Sequence, residues 1–203
     1  MSDIENANDS FLSSCSEILP GRLYFTSKPI NSNLQVQDDI HCFVTGDDIE
    51  YLSFFKDFGP FNLAIVHRYC EFLNEKLHFS SECKHKKLVH CILGGPMDKG
   101  VRKKAVNAAF LVGAFAVVYL NRTAREVMTA LQKSGPFIKF RDASYLPSEA
   151  ASYMDLADCL KAVEKAHKLG FFNFDDFNYV EYEHYEQVRI AHQIISLNTD
   201  YDI

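Results

Sequence analysis

The chain of 203 residues has no tryptophan, no excess of basic residues and no apolar run of membrane-spanning length. Its most apolar stretch, Ala108–Leu120, is 13 residues long and is flanked by Arg102, Lys103, Lys104 and Asn107. A bilayer requires roughly 20 apolar residues, so this stretch is read as a buried central helix and no membrane partner is expected. The net charge of −6 and a pI near 5.7 leave no basic face of the kind that nucleic acid requires. They suit a partner that carries lysine and arginine. The N-terminal "MSDIENANDSFLSSCSE" has neither a basic nor an apolar region of a secretion signal. The six cysteines, at 15, 42, 70, 83, 91 and 159, lack framework spacing. They are expected to be reduced thiols in the cytoplasm, the nucleus or both. No internal repeat and no low-complexity linker interrupts the chain.

What is present describes an ordinary globule with one sizeable core: 47% hydrophobic and 24% charged residues, with 17 Phe and 10 Tyr. The pattern is α/β, a single domain with a central mixed sheet flanked by helices. Residues 1–17 are expected to be a disordered tail, 18–188 the domain and 189–203 a divergent C-terminal tail. "RLYFTS" and "IHCFVT" read as short strands on either side of a polar turn near Asn31–Asn33. "GDDIEYLSFFKDFGP" is expected to pass through a short helical piece into a turn at Asp57–Pro60. A helix over 61–77 follows, with Leu63, Val66, Cys70 and Leu73 at core spacing. "KKLVHCI" is apolar throughout, as a central strand is. Thr123 and Glu126 form a capping box opening a helix to about residue 133. Another helix is expected over 151–169, stopped by Gly170. The acidic, aromatic "FNFDDFNYVEYEHYEQV" closes the domain as a helix.

"KLVHCILGGPMDKGVRKKAVNAAFLVG" (87–113) combines strand, glycine turn and helix, with a His-Cys pair where the strand ends. This is the outline of a loop in which a cysteine thiolate attacks a phosphoryl group. Such a loop needs a thiol pKa below the free value of about 8.5. It also needs backbone N–H groups around the phosphoryl oxygens and an arginine fork six positions after the cysteine. His90, Cys91 and Gly94 fit the start of the pattern HCxxGxxR, but position 97 is methionine and the first arginine is Arg102. Asp98 in the turn would repel a phosphate dianion. Losing one donor to a transition state costs about 3–4 kcal/mol, so no catalytic residue is assigned to this degenerate loop. Asp57, on a turn ahead of the helix and strand, stands where such enzymes keep a general acid. The simpler reading is that "KDFGP" starts a helix with Pro60 in its first turn. Cys83, His85, His90 and Cys91 could suggest a metal, but adjacent strand residues face opposite ways. No metal or cofactor is expected.

"GRLYF", "DFGPFNLAIVHRYC", "KKLVH", "RKKAVNAAFLVG", "PFIKFRDASY", "GFFNFDDFN" and "EYEHYEQV", in this order from Gly21 to Val188, resemble the N-terminal domain of the cell-division-cycle fourteen family of dual-specificity protein phosphatases. The resemblance implies the silent half of a tandem phosphatase fold, which helps to select substrates while a second half carries HCxxGxxR. It also implies an acidic groove on the linker helix that favours a basic residue after phosphoserine-proline. The matching residues are Glu183 and Glu186. The expected partners are therefore basic peptide segments or a phosphatase catalytic domain. The sequence departs from the family in the loop 92–101 and after Val188, and it contains no HCxxGxxR. Two alternatives stay open: an active phosphatase, as a fragment or through Cys91 with Arg102, and a remnant without function.

Overall fold

The computed structural model describes residues 10–30, 39–45, 51, 53–95, 100–144, 147 and 150–186. Residues 10–14 are helical (α1). Then follow β1 (Ser16–Leu19), β2 (Leu23–Ile30), β3 (Ile40–Phe43), α2 (Leu63–His78), β4 (Lys87–Leu93), α3 (Val101–Val118), α4 (Ala124–Leu131), β5 (Phe140–Arg141), β6 (Tyr153–Met154) and α5 (Leu156–Lys168). Residues 179–186 form the acidic helix α6. The strands order as β1-β2-β4-β3, with β1 antiparallel to β2 and both β2 and β3 parallel to β4. The mixed sheet therefore has β4 inside, as its continuous apolar sequence predicts. The two early strands do not pair with each other, because β4 lies between them. The polar turn expected between them falls outside the described residues.

Strand alternation sorts the sheet into two faces. Leu23 and Phe25 of β2 join Leu88 and Ile92 of β4 in the main core beneath α2 and α3. Tyr24, Val89 and Cys91 face the other way, into a smaller core with Leu12 and Cys15. The tail expected through residue 17 is therefore too long. Ser16–Leu19 is a strand, tied down where the Ser16 and Ser134 hydroxyls meet at 2.9 Å and Arg122 donates to the Ile18 carbonyl. Its four residues carry little periodicity of their own, and long-range contacts define it.

Every residue from Ala105 to Val117 is buried, which makes α3 the central helix its composition predicts. Small residues let neighbouring helices come close. A Cβ on Gly113 would stand 2.9 Å from Leu160 Cδ2 of α5 and 3.2 Å from Val127 Cγ1 of α4. The Thr123–Glu126 capping box is present in full. Gly170, at φ +70°, ends α5 with its N–H on the His167 carbonyl. α5 itself starts later than expected, because β6 takes Tyr153 and Met154 and Asp155 then caps the Asp158 N–H.

The segment before α2 also differs from expectation. Among the described residues 51 and 53–60 there is no helical piece, and Phe58 pairs with Arg141 across an antiparallel bridge. Pro60 does not lie in the first turn of α2. Asn62 is the N-cap, its side chain accepting from the Ile65 N–H at 3.0 Å.

Candidate functional site

The carboxyl ends of β3 and β4 meet the start of α3 at a cleft of about 380 Å³. This is the end of a parallel sheet where α/β folds hold ligands. Val44, Phe58, Phe61, Ile92 and Ala108 supply apolar wall, and Thr45, Ser53, Tyr51, Lys103, Lys104 and Asn107 supply polar groups. Cys91 also lines it. The turn that follows β4 begins with Gly94 and Gly95, while Met97 and Asp98 lie outside the described residues.

Cys91 has the environment of a core thiol. It is 1% exposed, and its neighbour Cys42 and then burial push its pKa far above the ordinary thiol value. A nucleophilic cysteine needs the opposite shift. His90 points to the other face, where it is fully buried, stacks on Phe43 at 5.0 Å and meets the Tyr69 hydroxyl at 3.0 Å. Burial drives its pKa down to about 3. The His-Cys pair is thus split between two cores, while Cys83 is buried and His85 is exposed. Among the described residues no group of three His, Cys, Asp or Glu side chains is arranged to hold a metal ion. No helix of the described residues is long and apolar enough to cross a membrane. Arg102 sits on the exposed first turn of α3.

Asp57 organises its own loop. Burial would raise its pKa, but the Phe55 N–H at 2.7 Å and the Tyr51 hydroxyl at 2.5 Å hold it below the ordinary carboxylate range. A general acid must instead keep its proton near neutral pH. With Cys91 buried and Asp57 ionised, turnover of aryl phosphates by the purified chain is expected to stay at background. Hydrolysis that survives a mock purification and disappears in Cys91→Ser would contradict this.

Glu183 and Glu186 are brought together on α6 and docked against α2. Glu183 stands 3.8 Å from Arg68, in a pair whose side chains are 44% and 34% exposed for Arg68 and Glu183. Glu186 accepts from the Asn62 amide and from the Tyr182 hydroxyl. Burial, and then Glu186, push the Tyr182 pKa up to about 12. His67 on α2 anchors the approach to α6, bonding the Phe174 carbonyl at 3.2 Å and packing against Phe174, Phe177 and Tyr179. Sequence reasoning missed the cleft residues Asn107, Tyr51 and Ser53. The available signal was an asparagine set in an otherwise apolar helix.

The family model "Dual specificity protein phosphatase, N-terminal half" matches residues 17–166. The chain belongs to this family. It is 39% identical over 174 residues to the dual specificity protein phosphatase CDC14A of Mus musculus, covering 85% of this chain and 27% of the relative. To CDC14B of the same organism it is 43% identical over 148 residues, covering 72% of this chain and 29% of the relative. The tyrosine-protein phosphatase cdc-14 of Caenorhabditis elegans is 30% identical over 190 residues, covering 89% of this chain and 26% of the relative. The chain thus spans less than a third of the length of the curated relatives it matches. Within the family it corresponds to the N-terminal part.

Proposed function

We propose that this dual-specificity phosphatase N-terminal domain is non-catalytic and recognises protein segments carrying basic residues near Ser-Pro. The observation that supports this best is the docking of Glu183 and Glu186 on α2. Asn62 and Tyr182 fix the Glu186 carboxylate, and Arg68 lies beside Glu183. A carboxylate has about four lone-pair sites, so each can accept a further donor from a peptide. Arg68 competes for Glu183, and exposed pairs contribute only about 0.2–1 kcal/mol each. Binding by this domain alone is therefore weak and falls with added salt.

The test is a titration of basic Ser-Pro peptides at low ionic strength against wild type and Glu183→Gln/Glu186→Gln. The variant is expected to lose about 0.4–2 kcal/mol of binding free energy. Equal binding by the two proteins would remove the acidic face as a recognition surface and leave α6 a packing role.

A second reading concerns the protein to which such a domain belongs. Relatives more than three times as long are named phosphatases, which favours a role as the N-terminal part of an enzyme that dephosphorylates phosphoserine-proline and phosphotyrosine sites. In that case a catalytic domain is the partner, and adding one in trans should tighten peptide binding.

A further inference from the structure

Three of the six thiols gather in the smaller core: Cys15 and Cys91 are buried there, and Cys42 packs against it half-buried. Cys42 lies on β3 opposite Val89 in the parallel register with β4. Alternation along β4 puts Cys91, two positions after Val89, on the same face of the sheet. Cys42 and Cys91 are therefore diagonal neighbours on adjacent strands, the first reachable from solvent and the second 1% exposed. The Cys91 thiol donates to the Val89 carbonyl at 3.5 Å. A turn about its Cβ–Sγ bond redirects that proton to Cys42. As a hydrogen-bond donor, Cys91 holds the Cys42 pKa below the ordinary thiol value against the effect of burial. Cys15 is shifted the other way, by burial, and its thiol donates to the Phe11 carbonyl at 3.3 Å. Of the three, Cys42 is the thiol that ionises first and the one that solvent reaches.

We propose that Cys42 and Cys91 are a modification site, closed into a reversible disulfide when a peroxide reaches Cys42. The Cys42 thiolate attacks one oxygen of hydrogen peroxide, the O–O bond breaks, and the departing hydroxide takes up a proton and leaves as water. Cys42 is then a sulfenic acid. The Cys91 sulfur displaces the hydroxyl group from it and forms the S–S bond, and the Cys91 proton leaves with that hydroxyl as a second water. Two thiols and one peroxide thus give one disulfide and two waters, with two electrons passing from sulfur to oxygen. Cys91 loses its proton during the displacement, so it need not ionise beforehand. Cα atoms one strand and two residues apart are separated by about 8 Å, and a disulfide spans at most about 6.8 Å. The bond therefore draws β3 towards β4 by about 1 Å. β3 can yield because, among the described residues, it is an outer strand and pairs only with β4. A bond closed under such strain is readily reduced, and a dithiol restores both cysteines. Neither the acidic face of α6 nor the peptide reading enters this proposal.

The test uses the full chain, reduced and freed of reductant, then treated with a slight excess of hydrogen peroxide near neutral pH and quenched with N-ethylmaleimide in denaturant. Mass spectrometry of the intact chain is expected to show the loss of two hydrogens and of two alkylation sites. Digestion should give one cross-linked pair, joining the peptides of Cys42 and Cys91, and dithiothreitol should return both thiols. Cys42→Ser should lose this product entirely, while in Cys91→Ser the Cys42 sulfenic acid should persist and be trapped by dimedone. Cys15→Ser should cross-link as wild type does. The same treatment in urea should scatter the pairing over other cysteines, since the fold is what makes these two neighbours. No disulfide in wild type even under a large excess of peroxide would overturn the proposal. So would a disulfide that joins either residue to Cys15 or to a second chain, or equally selective pairing in urea, and none of these outcomes depends on a variant that must fold.

Discussion

Leu111→Lys is expected to leave the domain largely unfolded under conditions where the wild type is native. Leu111 is fully buried in α3, and the residues on both sides of it, Phe110 and Val112, are buried as well. No face of the helix at this level opens to water, so a lysine cannot extend its ammonium group to solvent. It must be buried without a partner or force α3 away from the elements around it. Either outcome costs several kcal/mol, against a total stability of about 5–15 kcal/mol for a domain. Val112→Lys should behave in the same way. Phe171→Lys is the matched control, because Phe171 is 77% exposed and the charge remains hydrated. Circular dichroism and urea titration of the three variants decide the matter. A Leu111→Lys protein that melts within a degree or two of wild type would mean that α3 is not the centre of the fold.

Such elements were legible in the sequence because their signals are local. The apolar run of α3, the unbroken apolarity of β4, the Thr123–Glu126 box and the Gly170 stop each announce themselves within a few residues. β1, β5 and β6 did not, since two- to four-residue strands are defined by their partners: Ser16 by Ser134, Phe58 by Arg141. The start of α2 differs from its expected place because Asn62, two residues after Pro60, makes the cap. At the candidate site, spacing alone exposed the missing arginine and separated His90 from Cys91. The orphaned oxygen of Asn107 is a property of three dimensions that no spacing rule reports. Likewise, Glu183 and Glu186 could be set on one helix face from sequence, but their ties to Arg68 and Asn62 depend on how α6 returns to α2.

His90 gives the domain a pH dependence that can be worked out with its sign. The folded protein holds the imidazole at a pKa of about 3, against an ordinary 6.5, because burial disfavours the charged form. Its surroundings offer no counter-charge: Phe25 and Phe43 are apolar, and Tyr69 is kept neutral by its own burial. The unfolded chain therefore takes up a proton below pH 6.5 that the native chain refuses. Stability is complete above that pH and falls as the solution is acidified towards 3. With one pKa unit equal to about 1.4 kcal/mol, the loss from pH 7 to 5 is about 2 kcal/mol, and over the full window about 4–5 kcal/mol. The carboxylates held below their ordinary values, Glu17, Asp57, Glu126, Asp142, Asp158 and Glu164, contribute stability that disappears only at lower pH. His41 adds in the same direction, since burial and then Lys76 also lower its pKa, and His41→Asn removes that share. Urea unfolding at pH 7, 6 and 5 of wild type, His41→Asn and His90→Phe separates the contributions. The phenyl ring of His90→Phe can keep the stack on Phe43 but takes up no proton, so its stability should fall less steeply than that of wild type over this range, retaining only the share of His41, whatever its value at pH 7. If His90→Phe loses stability between pH 7 and 5 as steeply as wild type, the imidazole of His90 is not the group that makes this fold sensitive to acid.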